Sequence, residues 1–303
     1  MLTIDTLSLL REFLSKENIL ENEPMSEHTS FRTGGCARFF VIPQNVFELA
    51  ACVKALSKEN KKFVIVGNGS NILVSDKGFD GVVICVGKNM SEITVSGDTI
   101  YAEAGALLSR IASVAQKNSL TGFEFASGIP GSLGGAIVMN AGAYGGEMKD
   151  VVIKTKYLTS NGEIKDIEGD MHGFGYRKSA FGEGDVILSS QIKLKEGNKD
   201  DIKAYSMELN ARRKEKQPLE YPSAGSTFKR PEGYFAAKLI EDAGLKGFSV
   251  GGAMVSEKHA GFVINYNNAK SADIYELILK IQEIVMDKFK VTLEPEVRFI
   301  GEF

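Results

Sequence analysis

The sequence has little of what marks several large classes of protein. It contains only three cysteines, Cys36, Cys52 and Cys85, without CxxC spacing, so neither a disulfide framework nor a zinc site is expected, and a reducing cytoplasm fits. Its formal net charge is −3, from 36 basic and 39 acidic residues that are well mixed. Such a surface offers no broad electrostatic footprint to nucleic acid or to an anionic membrane. Any anion must therefore be bound locally.

Signals for export and for two common nucleotide folds are also missing. The N-terminus, MLTIDTLSLLREF, has an acidic residue where a secretory signal needs basic ones, and its apolar spacing is typical of an amphipathic helix, so we expect no export. The absence of a GxxxxGK[ST] motif excludes a P-loop. The loop GNGSN, residues 67–71, has Ile72 where a Rossmann fingerprint requires a third glycine, and strand-like residues follow it, which excludes a Rossmann fold.

What the chain does have is glycine in one place. Residues 122–146, GFEFASGIPGSLGGAIVMNAGAYGG, hold eight of its 32 glycines, and no side chain between Phe125 and Gly146 carries a charge. Pro130, Asn140 and the glycines interrupt the stretch too often for a membrane-spanning helix. Glycine lets the backbone approach a ligand and lets N–H groups converge on phosphate oxygens. The stretch therefore indicates a pyrophosphate site, with tight turns in a packed core as the alternative.

A second glycine-rich loop supports the ligand interpretation. Two such loops with few cations nearby could hold one dinucleotide along its length, whereas a mononucleotide needs only one P-loop. Ser70, Asn71 and Ser132 could add hydroxyl or amide hydrogen bonds, although serines in such turns more often bond their own backbone. The predicted cofactor-binding residues are Val66, Gly67, Asn68, Gly69, Ser70 and Asn71 in the first loop, and Ser127, Gly128, Ile129, Pro130, Gly131, Ser132, Gly134, Gly135 and Ala136 in the second.

Strand and helix patterns mix without strict alternation, which predicts an α+β fold. Asn161-Gly162 predicts a hairpin, and Asn45 with Glu48 predicts a capping box. At 303 residues we expect about two domains, with the boundary between residues 195 and 196. A first helix is predicted from about Leu7 to near Asn18–Asn22. Further predicted helices cover about 45–60, 106–118, 200–217, 234–243 and 271–289. The predicted strands cover about 37–42, 63–66, 72–74, 82–86, 92–95, 100–104, 151–158, 164–167, 186–194, 250–255, 261–266 and 292–300, and residues 22–35 are predicted to form an extended arm.

Six motifs occur along the chain: HTSFRTGG, VGNGSNILVSD, SGIPGSLGGAIVMNAGAYG, YRKSAF, YPSAGSTFKRP and LEPEVRFIG. In this order, and over nearly the whole chain, they closely resemble the UDP-N-acetylenolpyruvoylglucosamine reductase family. The resemblance implies an FAD-binding fold of the vanillyl-alcohol-oxidase (PCMH) type in residues 1–195, with two subdomains split near residue 90. It also implies a C-terminal α+β substrate-binding domain in residues 196–303.

The resemblance further implies the activity. Enzymes of this family use NADPH and FAD to reduce UDP-N-acetylglucosamine enolpyruvate to UDP-N-acetylmuramate in the cytoplasm, a committed step of peptidoglycan synthesis that serves cell-wall biogenesis, cell shape and division. Related oxidases of this fold often tether the flavin through a histidine in the first glycine loop. GNGSN contains none, so we expect noncovalent FAD. We expect no metal, membrane, nucleic-acid or obligate protein partner.

Three residues match the family's catalytic positions. Ser226 in AGSTFK matches the proton donor, Arg177 in YRKS matches the arginine that binds the substrate carboxylate, and Glu296 in PEVRFIG matches the third catalytic residue. Each residue type suits its role, because a planar guanidinium pairs with a carboxylate and a hydroxyl can protonate a strongly basic carbon. Without the motifs, the same residues would be interpreted as a turn serine, a surface arginine and an ion-paired glutamate.

The resemblance also implies contacts to the substrate's carboxylate, diphosphate or sugar at Tyr176, Arg213, Lys229 and Arg230, and two or three cations suit a diphosphate. His28 and His259 are interpreted as structural, since the sequence suggests no partner for either, and His172 is assigned no role. The chain lacks the inserted tyrosine loop of some family members. The alternatives are an oxidase or dehydrogenase of the same flavin fold acting on another substrate, and a flavin-binding module without catalysis.

Overall fold

The computed structural model describes residues 5–303, in which helices and strands alternate irregularly along the chain. The α-helices are α1 (Thr6–Arg11), α2 (Val46–Lys58), α3 (Leu108–Lys117), α4 (Leu133–Val138), α5 (Lys199–Lys216), α6 (Ala236–Asp242) and α7 (Ser271–Phe289). The strands are β1 (Ile19–Pro24), β2 (Cys36–Val41), β3 (Phe63–Val66), β4 (Ile72–Val74), β5 (Phe79–Cys85), β6 (Ile93–Ser96), β7 (Thr99–Glu103), β8 (Leu120–Thr121), β9 (Gly142–Ala143), β10 (Gly146–Glu147), β11 (Val152–Leu158), β12 (Ile164–Glu168), β13 (Val186–Lys193), β14 (Lys195–Glu196), β15 (Ser249–Val250), β16 (Ala253–Val255), β17 (Val263–Asn265) and β18 (Arg298–Ile300).

Most of the periodic segments form as predicted, and the class is α+β. Helix α2 begins after Asn45, whose side-chain oxygen accepts from the Glu48 N–H at 3.0 Å. Glu48 accepts from the N–H of Gln44 at 2.8 Å, so the reciprocal half of the predicted capping box reaches one residue further upstream. Asn161-Gly162 lies in the hairpin that joins β11 and β12, as predicted.

Four segments differ from the predictions. Helix α1 ends at Arg11 rather than near Asn18–Asn22, because Ile19–Pro24 pair in a sheet as β1. The arm is extended only at its start, in β1, and then forms a 3₁₀ turn over Met25–His28. The predicted strand 292–300 is regular only in β18, because residues 294–296 bond a loop rather than a sheet. The glycine-rich stretch contains the unpredicted helix α4, where Leu133 and Ile137, four residues apart, are both buried.

The chain divides into two compact units. The first comprises the described residues up to Glu21, Phe39–Asn68 and Gly81–Ala211, and the second comprises Asn22–Arg38, Gly69–Asp80 and Arg212–Phe303. Both units are therefore discontinuous in sequence, and the division of the first glycine-rich loop falls between Asn68 and Gly69. The predicted domain boundary at 195/196 lies within the first unit, just before α5.

The first unit is built on a five-stranded antiparallel sheet of order β12-β11-β13-β7-β6. The first unit also contains a parallel pair, in which Phe63–Val66 of β3 pair with Val82–Cys85 of β5. These two strands belong to a sheet of order β1-β2-β5-β3. The chain passes from one sheet to the other between Cys85 and Ile93, where the predicted split near residue 90 falls. The core of this unit includes the buried side chains Leu49 and Leu56 of α2 and Ile100 of β7.

In the second unit, α7 packs against the antiparallel sheet β15-β16-β17, and α6 packs against α7. Helix α7 forms where it was predicted and buries an apolar face made of Ile274, Leu277, Ile278, Ile281 and Val285. Strand β18 pairs in parallel with β4, which places Arg298 opposite Ile72, directly after the first glycine-rich loop. Among residues 5–303, no helix is long and apolar enough to cross a membrane.

Candidate functional site

The two glycine-rich loops meet within the first unit. Strand β3 ends at Val66, whose carbonyl accepts from the N–H of Val86 at 2.9 Å. The Asn68 side-chain amide then donates to the carbonyl of Pro130 at 2.8 Å. A Cβ built on Gly67 would overlap the hydroxyl oxygen of the buried Ser132, so only glycine allows this approach. The sequence-based expectation that the loops lie together therefore holds for residues 66–68 and 127–136.

The second loop offers fewer free backbone donors than its composition suggested. The protein's own carbonyls accept from the N–H groups of Ser127, Ile129, Gly131, Leu133, Gly134 and Ala136. Leu133, for example, donates to Ala106 at 2.9 Å, and Gly134 donates to Ala104 at 2.8 Å. Across the described part of the chain, no main-chain bond uses the N–H groups of Gly128, Ser132 or Gly135. These three are the donors of this loop that remain for a phosphate.

We expect Gly67→Ala to lower both thermal stability and FAD retention. The added methyl group must displace Ser132, and overpacking of a closely packed site costs about 1–3 kcal/mol. Thermal unfolding and the flavin-to-protein absorbance ratio measure both effects.

The double variant Gly67→Ala/Ser132→Ala removes the overlapping oxygen and should recover most of the lost stability. A single variant as stable as wild type, or a double variant without recovery, would contradict this account of the contact between the loops.

The rest of the first loop belongs to the second unit. Gly69 has φ +63°, and a Cβ there would overlap the carbonyl of His28. Its own carbonyl accepts from the N–H of Ser30 at 3.1 Å. The Ser30 hydroxyl is buried without a hydrogen-bond partner in residues 5–303, which is unusual for a polar atom and is consistent with a site for a polar ligand beside this loop. Asn71 lies next to Glu296, described below.

Ser226 is exposed, in a segment of the second unit that hydrogen bonds hold in place. These hydrogen bonds are made by its neighbour Thr227, which is buried. The N–H of Thr227 donates to Gly261 at 2.8 Å, and its hydroxyl accepts from Val263 N–H at 2.9 Å. On the other side, its carbonyl accepts from the N–H of Glu296 at 2.8 Å. The backbone of a single residue therefore joins two of the three predicted catalytic positions.

Glu296 is held from a second direction by the glycine-rich loop. Its carbonyl accepts from the side-chain amide of Asn71 at 3.0 Å, and the Asn71 carbonyl accepts from the N–H of Arg298 at 3.0 Å. The parallel pairing of β4 with β18 sets this register. The second unit thus brings together Asn71, Glu296 and the segment of Ser226, two of which were predicted for catalysis and one for cofactor binding.

Arg177 lies in the first unit, at the tip of a two-residue turn. Gly175 and Lys178 exchange both of their backbone hydrogen bonds, at 3.0 and 3.2 Å, and enclose Tyr176 and Arg177. Arg177 has φ +54°, and its guanidinium lies 5.1 Å from the centre of the Tyr176 ring. One of its terminal nitrogens donates to the carbonyl of Gly142 at 3.4 Å. Tyr176 and Arg177, the two residues predicted from YRKS, therefore lie side by side in this turn.

The remaining predicted substrate contacts already have protein partners. Lys229 forms an ion pair with Glu294. Arg230 donates from Nε to the carbonyl of Tyr234 at 3.3 Å, and its guanidinium lies 3.9 Å from the centre of the Phe235 ring. Arg213 is half-buried in the last turn of α5. A substrate diphosphate would compete with the partners of Lys229 and Arg230.

All three histidines have partners, contrary to the sequence-based view of His28 and His259. His28 Nε2 lies 2.8 Å from a carboxylate oxygen of Glu23. His259 accepts from the N–H of Gly261 at 3.1 Å, and burial lowers its pKa. His172 is fully buried and contacts the hydroxyl of Thr155 at 2.9 Å. These contacts explain the three side chains as structural.

Two polar residues near Arg177 were missed. Asn140 is fully buried, and Glu147 accepts from the Asn140 side-chain amide at 2.9 Å. The available signal was that Asn140 is the one amide side chain in an uncharged stretch, so that burial would require hydrogen-bond partners. Among residues 5–303, no group of three or more His, Cys, Asp or Glu side chains could hold a metal ion.

The geometry and the family comparisons define the class together. Residues 37–168, which include both glycine-rich loops, match the FAD binding domain family, and residues 217–300 match the family of UDP-N-acetylenolpyruvoylglucosamine reductase C-terminal domains. The pollen allergen Phl p 4, described as having glucose dehydrogenase activity, shares the fold over 64% of this chain and 45% of its own, with a TM-score of 0.52 at 18% identity. The chain is an FAD-dependent oxidoreductase with the predicted FAD-binding fold.

Full-length relatives narrow the class further. The UDP-N-acetylenolpyruvoylglucosamine reductase of Caldanaerobacter subterraneus is 54% identical over 97% of each chain, and that of Agathobacter rectalis is 51% identical over 96% of this chain and 97% of its own. The crystal structure of the Thermus caldophilus enzyme has a TM-score of 0.81 and 33% identity, over 93% of this chain and 98% of its own. The chain belongs to the UDP-N-acetylenolpyruvoylglucosamine reductase family, which confirms the resemblance stated above.

Proposed function

We propose that this protein reduces UDP-N-acetylglucosamine enolpyruvate to UDP-N-acetylmuramate with NADPH, in the cytoplasmic synthesis of peptidoglycan precursors. The observation that carries the proposal is that Ser226 precedes Thr227 in the chain and that the N–H of Glu296 donates to the Thr227 carbonyl. This arrangement occurs in a chain that matches reductase relatives over nearly its full length. NADPH and the nucleotide sugar are its small-molecule partners, and no protein partner is required. Its three cysteines are free thiols, in keeping with a reducing compartment.

FAD fits the residues that the loops present. Gly128, Ser132 and Gly135 of the second loop would offer N–H groups to its pyrophosphate. Asn68, Ser70 and Asn71 of the first loop would line the same cofactor site. No residue from Val66 to Asn71 is a histidine, so FAD is held noncovalently. When bound, FAD would supply the hydride-transfer chemistry that links NADPH to the substrate.

The chain's own residues supply the remaining chemistry. The reaction adds a hydride to one carbon of the enol ether and a proton to its neighbour, and negative charge grows on the substrate carboxylate in between. Arg177 would pair with that carboxylate through its planar fork of donors, and Glu296 would polarise the same charge. Ser226 supplies the proton: its O–H bond breaks, the new C–H bond forms, and solvent reprotonates the exposed hydroxyl.

Anaerobic flavin spectroscopy tests this function in two steps. NADPH should first bleach the oxidised flavin band of the purified protein, and UDP-N-acetylglucosamine enolpyruvate should then restore it. A protein whose flavin bleaches but does not recover would exclude this substrate assignment and favour an oxidase or dehydrogenase of the same fold that acts on another substrate. A protein that holds FAD but does not bleach with NADPH would indicate a flavin-binding module without this activity.

A further inference from the structure

We propose that Asn140 is a positioning residue that fixes the turn carrying Arg177. The inference rests on the proposed function, because it assigns Arg177 to the substrate carboxylate. Its basis is a buried amide that joins three segments of the first unit: the end of α4, the β9–β10 hairpin with the 3₁₀ turn after it, and the turn that contains Tyr176 and Arg177.

The Asn140 amide uses its hydrogen-bonding groups on all three segments. Its nitrogen donates to a carboxylate oxygen of Glu147 at 2.9 Å and to the carbonyl of Gly175 at 3.0 Å. Its oxygen accepts from the N–H of Lys149 at 2.9 Å. Because the oxygen faces a backbone donor and the nitrogen faces two acceptors, the orientation of the amide is determined. The side chain is 0% exposed, and its φ of +44° is one that asparagine tolerates better than most residues.

The contact with Gly175 acts on the turn at its first residue. Arg177 has φ +54°, a conformation that is strained for an ordinary side chain, so the surrounding structure must hold the turn in place. The far side is held by the Ser179 hydroxyl, which donates to Val138 at 2.7 Å, and by the N–H of Ala180, which donates to His172 at 2.8 Å. On the near side, Asn140 supplies the corresponding hydrogen bond.

The contact with Glu147 adds a charge beside the guanidinium. The pKa of Glu147 is lowered, chiefly by its hydrogen bond with Lys149, and further by Asn140 and by the charge of Arg177. Glu147 is therefore ionised at neutral pH, and Asn140 orients the oxygen that it contacts. Arg177 also donates to Gly142 of the same hairpin. Asn140 therefore contacts both the backbone of the turn that carries Arg177 and the carboxylate whose charge acts on Arg177.

The test is Asn140→Asp, which keeps the shape of the side chain but replaces its donor with a carboxylate facing Glu147. A misplaced binding group can cost about 100-fold in rate, so we expect substrate-driven flavin reoxidation to slow by about 10- to 100-fold. FAD content and the rate of bleaching by NADPH should stay within about twofold of wild type. Asn60→Ala is the matched control, because Asn60 has φ +50° and an exposed side chain; it should leave both half-reactions unchanged.

A double-variant comparison separates positioning from a general structural role. In an Arg177→Lys background, Asn140→Asp should slow reoxidation by less than about threefold, because residues that act as one unit are not additive. Full multiplication of the two losses, or equal slowing of both half-reactions by Asn140→Asp, would overturn the proposal. If the wild-type enzyme itself failed to reoxidise with UDP-N-acetylglucosamine enolpyruvate, the proposed function would fail instead.

A second variant keeps the proposal testable if Asn140→Asp does not fold. Glu147→Gln preserves an oxygen that can accept from Asn140 but removes the charge beside Arg177. Reoxidation should slow by about 10-fold in the wild-type background, with the loss again absent in Arg177→Lys. Unchanged reoxidation in Glu147→Gln would contradict the link between this network and Arg177.

Discussion

Ser226→Ala should slow reduction of the enolpyruvyl substrate by roughly two to four decades, the usual scale for losing a general acid. The variant should bind FAD, and NADPH should still bleach it, because the proton is needed only in the second half-reaction. The fold should be unaffected, since Ser226 is exposed and its segment is held by hydrogen bonds of the Thr227 backbone and hydroxyl. Stopped-flow absorbance of the flavin separates the two steps.

Two matched variants sharpen this test. Ser223→Ala removes a hydroxyl three residues upstream in the same segment and should leave turnover within about twofold of wild type. Ser226→Cys places a stronger acid at the same position and should retain more activity than Ser226→Ala. If Ser226→Ala kept wild-type turnover, Ser226 would not be the proton donor.

Strongly periodic elements could be predicted because their signals are local. Helix α7 follows from apolar residues spaced at helical intervals, and α2 follows from the Asn45 cap. The return from GNGSN to strand β4 excluded a Rossmann fold for the same reason. The predictions failed where hydrogen bonds between segments that are distant in sequence determine the structure. Residues 294–296 bond the Ser226 segment, so the last strand shortens to β18.

The candidate site divides in the same way. The loops could be located from composition, but the use of their donors could not, because the carbonyls that occupy Leu133 and Gly134 N–H belong to Ala106 and Ala104 in another part of the chain. The role of Thr227 was likewise hidden, since its contacts are with residues 34 to 69 positions away. Motif resemblance predicted Ser226 and Glu296 as catalytic residues without indicating what joins their segments.

Arg177→Lys should reduce reoxidation by the substrate almost as much as Arg177→Ala, by roughly two to three decades. A planar guanidinium can make two parallel hydrogen bonds to a carboxylate, whereas an ammonium is a point charge that cannot reproduce that geometry. The backbone does not distinguish the two variants, because lysine and alanine tolerate φ +54° no better than arginine. Any difference between them therefore reports the side chain.

The control for this substitution is Arg110→Lys, an exposed arginine of the same unit that donates to the carbonyl of Ser91 at 3.2 Å. It should have wild-type rates in both half-reactions, which would show that loss of a guanidinium elsewhere is harmless. If Arg177→Lys retained wild-type reoxidation while Arg177→Ala lost it, positive charge alone would suffice. In that case Arg177 would act as a point charge, and the planar, bidentate contact would be excluded.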